Sequence, residues 1–195
     1  MQVKIFFNYR SPYGYLASRS MFDRLASFKV EIEWLALAGW DGRSPPERAK
    51  VKVPLTRQDV KRWCLHLNIP FTPPPIETDP TLAAMVSYVA VEEGRLAEFT
   101  RIALWKEWAE GKDIGDRTTM LEISREVGLD LAKVKEVIDS KMYLKRLENN
   151  WSEAQRMGVI GVPSFVVDDQ IFWGNDRLDF LVRHLQDLGL GSETR

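Results

Sequence analysis

In this 195-residue chain the stretch with the residue types and spacing for chemistry lies near the start, Tyr9-Arg10-Ser11-Pro12-Tyr13-Gly14. An apolar run ends there and a helical pattern begins. Ser11 has an N-cap side chain, and Pro12 occupies the first helical position, where a missing N–H costs nothing. A strand-to-helix turn of this kind directs free N–H groups and the positive end of a helix dipole at one point, which suits an anion. Ser followed by Pro is also a routine helix start, so capping alone is the alternative reading of this stretch.

Other reactive side chains are sparse. The single cysteine, Cys64, has no disulfide partner and no Cys or His cluster around it, so no metal site is expected. It sits in a helical pattern, Asp59 to His66, as a buried and inert thiol. His66 and His184 are isolated on helical segments, without partners for a Ser-His-Asp or Cys-His arrangement. Lys50 and Lys52 fall in a loop-like region and are either carboxylate ligands or merely solvated. Val162-Pro163 precedes a strand and is a candidate cis bond, which would leave the preceding N–H and C=O at a sheet edge for an added peptide strand; a trans proline opening an edge strand is the alternative. Asn175-Asp176 reads first as a helix cap.

The elements that must position these groups follow from composition and pattern. Apolar residues make up 45% and charged residues 28%, with a net charge of -1. One compact unit with a buried core is expected, with no general attraction for nucleic acid or membrane. The chain has no apolar window of transmembrane length and begins directly with strand-like residues, which predicts a cytoplasmic protein. Val3–Asn8 and Val30–Leu37 read as strands flanking a helix over Pro12–Phe28, a β-α-β unit with a right-handed crossover. Gly39, Gly42, Pro45, Pro46 and Pro54 predict a loop from Ala38 to Thr56, followed by a helix from Arg57 to Asn68 and a stiff connector through Pro73-Pro74-Pro75 and Pro80. Helical patterns then cover Leu82–Glu93, Leu96–Glu110, Asp116–Val127, Leu131–Ser140 and Met142–Met157. Ser164–Val167 and Gln170–Trp173 around Asp168-Asp169 predict an antiparallel hairpin, and Arg177–Leu188 a final helix. The order describes an α/β fold, a thioredoxin-like four-stranded mixed sheet with a large all-helical insertion. Residues 1–70 and 158–195 form the thioredoxin-like domain, and 71–157 the helical insertion.

Four pieces, Ser11-Pro12-Tyr13-Gly14-Tyr15-Leu16-Ala17, Asp59-x-x-Arg62-Trp63, Gly158-Val159-Ile160-Gly161-Val162-Pro163-Ser164-Phe165 and Phe172-Trp173-Gly174-Asn175-Asp176-Arg177-Leu178, together resemble the 2-hydroxychromene-2-carboxylate isomerase family. That family groups with kappa-class glutathione transferases and the DsbA-like thioredoxin fold. Redox members of the wider fold carry two cysteines at the turn, and the corresponding positions here are Ser11 and Gly14, which excludes disulfide exchange by the protein itself.

The resemblance implies that glutathione is the cofactor, that Ser11 is catalytic and holds its sulfur, and that Lys52, Val162, Pro163, Asn175, Asp176 and Arg177 bind the tripeptide. Arg177 either supplies charge or pairs with Asp179. The resemblance further implies isomerisation of an aromatic carboxylate in the degradation of aromatics, with a kappa-like transferase or a non-catalytic binding module as alternatives, and a homodimer. Tyr9, Tyr13 and Tyr88, with Trp40 and Trp108, are the candidates for an aromatic substrate pocket between sheet and insertion. The chain departs from the family pattern at Leu55, where many members have an aromatic residue, and at Tyr9-Arg10, where members often have an acidic or small polar residue.

Overall fold

A computed structural model describes residues 1–191; the last four positions of the expected C-terminal domain lie outside the described residues. Strand β1 (Gln2–Phe7) leads through Ser11 into α1 (Pro12–Ser18) and α2 (Met21–Ala26), and β2 (Glu31–Ala36) follows. The single helix expected over Pro12–Phe28 is thus two. The Ser18 hydroxyl donates to Tyr15 O at 2.7 Å, and the Arg19 and Ser20 amides bond three residues back, so the helix tightens and the chain turns.

The larger departure is α3 (Pro46–Leu67), which begins inside the predicted loop and runs through Pro54. Gly39, Gly42 and Pro45 all precede it, so Pro54 is the one breaker the helix must absorb. Proline there removes the bond to the carbonyl of Lys50, and both residues are exposed, where water takes the freed oxygen. Helices α4 (Thr81–Glu92), α5 (Leu96–Trp108), α6 (Arg117–Val127), α7 (Leu131–Ser140) and α8 (Leu144–Arg156) follow, and β3 (Ser164–Val167), β4 (Gln170–Trp173) and α9 (Leu178–Asp187) close the chain. Asp116 and Asp130 cap α6 and α7 through their carboxylates. Among the described residues no helix is long and apolar enough to cross a membrane.

The sheet order is β2-β1-β3-β4, with β1 parallel to β2 and antiparallel to β3, and β3 antiparallel to β4. The central strand β1 buries Val3, Ile5 and Phe7 on one face and Phe6 on the other, where Lys4 pairs with Glu33 and Glu153. Val3, Ile5 and Phe7 enter a core that continues through Tyr88, Phe99, Met120 and Leu147 of the helical segment. Phe6 enters a smaller cluster with Leu35, Val162, Val166 and Ala154 of α8.

Buried polar contacts fix the helical segment to the sheet. Tyr9 and Tyr88, expected in a substrate pocket, are fully buried parts of this join. Tyr9 shares a hydrogen bond with Thr100 of α5 at 2.9 Å. The Tyr88 hydroxyl accepts from Asn150 Nδ2 at 2.6 Å and from the Ala36 amide, and donates to Trp34 O. Neither phenol offers surface to a ligand, because each ring fills core and each hydroxyl is committed to a neighbouring element.

Arg10 makes a third tie: Nη2 donates to Pro75 O at 3.0 Å, the guanidinium lies 5.1 Å from the Trp108 ring centre, and Nη1 is 3.7 Å from Glu107 Oε1. Glu107 is fully buried, and neither carboxyl oxygen has a hydrogen-bond partner among the described residues. Burial pushes its carboxyl well above the usual carboxylate range, against the pull of Arg10 and Arg43.

Two outcomes are expected from these joins. Tyr88→Phe should lower stability to denaturant by about 1–3 kcal/mol, because the Asn150 and Ala36 N–H donors lose a buried acceptor; equal stability would show that they find another. For Glu107, the folded state keeps a proton that the unfolded chain releases above about pH 4.3, so this residue makes stability fall as pH rises through the window above that value. Glu107→Gln should therefore melt close to wild type near pH 4 and progressively higher than wild type toward pH 7, as followed by thermal denaturation.

Candidate functional site

The Ser11 turn forms where β1 leaves the sheet. The Ser11 amide donates to Asn8 O at 3.0 Å, and its backbone is extended (φ -83°, ψ 119°) ahead of α1. Ser11 Oγ accepts from the Gly14 amide at 3.2 Å, the expected cap. It also donates to Val162 O at 3.1 Å, a contact no capping argument supplies. Ser11 is 6% exposed. Gly14 is required by space: a Cβ there would stand 2.9 Å from Phe7 Cζ.

The Val162-Pro163 bond is cis. Among the described residues the Val162 amide has no acceptor, so this residue presents one unused donor and a carbonyl that holds only the Ser11 hydroxyl. Pro163 O accepts from the Gly174 amide at 2.9 Å, which ties the proline to the 3-10 turn Asn175–Arg177. Gly174 has φ 105°, and a Cβ on it would meet Asp176 Oδ1 at 2.6 Å, so this position needs glycine twice over. The structure therefore brings Ser11, Val162 and Pro163 together and attaches Asn175 and Asp176 to them through one backbone bond. Arg177 pairs with Asp176 (Nη1 to Oδ2, 2.5 Å) rather than with Asp179, which is taken by Arg24.

Tyr13 is half-buried, and its hydroxyl donates to Asp59 Oδ2 of α3 at 2.8 Å. Burial first, then Asp59, raises its pKa, and the charge of Asp176 adds to this, so the phenol stays neutral and lies within the field of the 175–177 turn. Lys50 and Lys52 stand on the exposed helix α3, not in a loop; the Lys52 ammonium reaches Ser44 Oγ at 3.4 Å and makes no contact with Ser11, Val162 or Asp176. Cys64 is buried, with its thiol pushed up to about 11 by burial, so no reactive protein sulfur competes at the turn.

The segment 39–43 packs against Val162 and the end of β1. Asn8 Nδ2 donates to Gly39 O at 3.2 Å and Asp41 O at 3.0 Å, holding this segment to the end of β1. Gly42, at φ 69°, packs so closely that a Cβ would meet Val162 Cγ1 at 2.8 Å. Arg43 sits 4.0 Å over the Trp40 ring. Trp108, by contrast, is core, stacked on Phe71 at 5.9 Å. Sequence reading missed Arg10, Arg43 and Glu107 as one group. The available signal was an arginine directly before Ser11, without a pattern to say which carboxyl it would meet.

Comparison with known proteins identifies the family and the fold. The DSBA-like thioredoxin domain family matches residues 2–186. A 2-hydroxychromene-2-carboxylate isomerase from Sphingobium xenophagum is 31% identical over 196 residues, covering 95% of this chain and 98% of that protein. Glutathione S-transferase kappa 1 from Caenorhabditis elegans is 25% identical over 206 residues, 95% of this chain and 91% of the relative. A solved 2-hydroxychromene-2-carboxylate isomerase has the same fold, with a TM-score of 0.81 at 24% identity over 97% of this chain and 96% of the other. These likenesses, over nearly the whole chain, show that it belongs to the DSBA-like thioredoxin domain family and, within it, to the 2-hydroxychromene-2-carboxylate isomerase family.

Proposed function

We propose that the protein is a glutathione-dependent isomerase of an aromatic carboxylate such as 2-hydroxychromene-2-carboxylate. The observation that carries this reading is the Ser11 hydroxyl, set at the turn where redox relatives of the fold place a thiol and bonded to the carbonyl of the cis Val162-Pro163 pair. With no cysteine at Ser11 or Gly14, the sulfur must come from a ligand. The kappa-class relative supports glutathione as that ligand.

The free N–H and the carbonyl of Val162 suit the cysteinyl residue of an extended tripeptide by strand addition. When the tripeptide's N–H takes Val162 O, the Ser11 proton is released and turns to the ligand sulfur, while the Gly14 amide continues to donate to Oγ. A hydrogen bond to the thiolate favours the charged form and lowers the thiol pKa. In this reading Asn175 and Asp176 take the γ-glutamyl end, where Asp176 accepts from the α-amino group once it releases Arg177.

The chemistry conserves atoms and electrons. The thiolate adds to a conjugated carbon, forming a C–S bond and moving the double-bond electron pair onto the conjugated carbonyl oxygen. Rotation about the new single bond follows, the electron pair returns, and the C–S bond breaks to release glutathione unchanged.

A kappa-like transferase would use the same thiolate and keep the C–S bond. Product analysis separates the two: many turnovers per glutathione consumed support the isomerase, and a stable thioether supports the transferase. Failure of the purified protein with glutathione to interconvert the chromene and its ring-opened pyruvate isomer would sink the substrate assignment.

Ser11→Ala should cost about 0.5–2 kcal/mol in stability. It should lower turnover about 100-fold, as loss of one donor to a developing or held anion does. It should also raise the pKa of bound glutathione, read from thiolate absorbance; a variant with wild-type turnover and an unmoved thiol pKa would leave Ser11 as a cap only.

A further inference from the structure

Arg10 stands directly before Ser11, and it is buried, with 9% of its surface exposed. Its amide donates to Asn8 Oδ1 at 2.9 Å, and the Ser11 amide donates to Asn8 O at 3.0 Å, so one asparagine fixes the backbone of both residues. The guanidinium is held in turn by Pro75 O and by the Trp108 ring. Arginine stays protonated at every ordinary pH, so a full positive charge is built into the approach to the turn.

The carboxyl that faces this charge does not neutralise it. Glu107 of α5 has no exposed surface, its nearer oxygen stops 3.7 Å from Arg10 Nη1, and neither oxygen has a hydrogen-bond partner among the described residues. An ionised carboxylate there would be desolvated without hydrogen bonds in return, which favours the neutral acid. Its titration moves the same way: burial raises it, against the pull of Arg10, Arg43 and the nearby Trp108 indole, and Asp113 adds to the rise.

The remaining charges around Arg10 are Arg57 of α3, of like sign, and Asp113. Asp113 is half-buried, and its Oδ1 already accepts from the Gly115 amide at 2.8 Å. Arg57 is exposed, as are Lys50 and Lys52, and salt screens charges in such positions. Arg10 is the cation that water and salt do not reach.

Its charge reaches the turn by covalent geometry alone. Adjacent α-carbons are about 3.8 Å apart, which puts the guanidinium within about 12 Å of Ser11 Oγ even with the arginine fully extended. At that range, in an effective dielectric of about 20, a unit charge moves the pKa of an anion-forming group by about one unit.

We propose that Arg10, its charge uncancelled by a neutral Glu107, favours the thiolate form of a sulfur placed at the Ser11 turn. Arg10 makes no bond to the sulfur and acts on it at a distance, whereas the Ser11 hydroxyl acts by contact. That the sulfur belongs to glutathione rests on the isomerase reading above; the charge at the turn does not.

The test puts a thiol into the protein itself, so that no ligand is needed. In Ser11→Cys, with wild type as the blank for the buried Cys64, the thiol pKa at position 11 is read from thiolate absorbance and from the pH dependence of iodoacetamide alkylation. Adding Arg10→Gln removes the cation and should raise that pKa by about one unit. Adding Arg10→Lys keeps the charge without the planar contacts to Pro75 and Trp108, and should raise it much less. Adding Glu107→Gln replaces a neutral acid by a neutral amide and should leave it unmoved. If circular dichroism shows that Arg10→Gln does not fold, the pair Arg10→Met with Glu107→Gln, which leaves neither partner stranded, takes its place with the same expected rise.

The inference is overturned if loss of the Arg10 charge leaves the pKa at position 11 unmoved, or if Arg10→Lys raises it as much as Arg10→Gln does. It is also overturned if Glu107→Gln lowers it, since an ionised Glu107 would then already be cancelling Arg10. A position-11 thiol that depends on Arg10, in a protein whose wild type binds no glutathione at millimolar ligand, upholds the charge and overturns the isomerase reading. Glutathione binding and isomerase turnover beside a position-11 thiol indifferent to Arg10 do the reverse.

Discussion

The Ser11 to Val162 hydrogen bond joins residues 151 positions apart, and the site hangs on it. It holds the turn leaving the central strand against the turn entering β3. The pairing of Phe6 with Ser164 sets the spacing of those two chain ends, so the bond is as well placed as the ladder beneath it. From Val162 the connection continues in two directions, through Gly42 to the segment carrying Arg43, and through Pro163 and Gly174 to Asn175 and Asp176. Glycine at 42 and 174 is what lets backbone approach that closely.

Three consecutive residues at the end of β1 reach three places. Tyr9 bonds Thr100 in the core, Arg10 spans to Pro75 and Glu107, and Ser11 faces Val162. The helical segment is thus fastened to the sheet by the residues that lead into the Ser11 turn, and movement of α5 would be felt at Ser11. The ties are unequal. Tyr9 is fully satisfied, whereas the Arg10 and Glu107 pair is long and leaves buried polar atoms unmatched, a costly arrangement that a uniformly apolar join would avoid.

Much of the fold was legible because local pattern and tertiary role agree. Leu131–Ser140 and the hairpin strands Ser164–Val167 and Gln170–Trp173 lie where periodicity and turn residues put them. Helix α3 was not legible. Pro54 reads as a breaker in a local window, yet one lost bond on an exposed helix is a small part of a 22-residue element that packs through Val60 and Cys64. Tyr9 and Tyr88 were misplaced for a related reason: an aromatic residue fits a pocket wall and a core equally well in sequence, and only the positions of Thr100 and Asn150 assign them to the core.

The sequence by itself determined the absence of thiols at Ser11 and Gly14, the capped turn, the cis-prone Val162-Pro163 pair and the order of elements, since each depends on residue type or short spacing. Only the tertiary structure decided that the Ser11 hydroxyl meets the Val162 carbonyl, that Arg177 turns to Asp176, and that Arg10 lies beside a buried Glu107. Those contacts join segments far apart in the chain, and they are set by sheet register and by close glycine packing, neither of which leaves a periodic trace along the sequence.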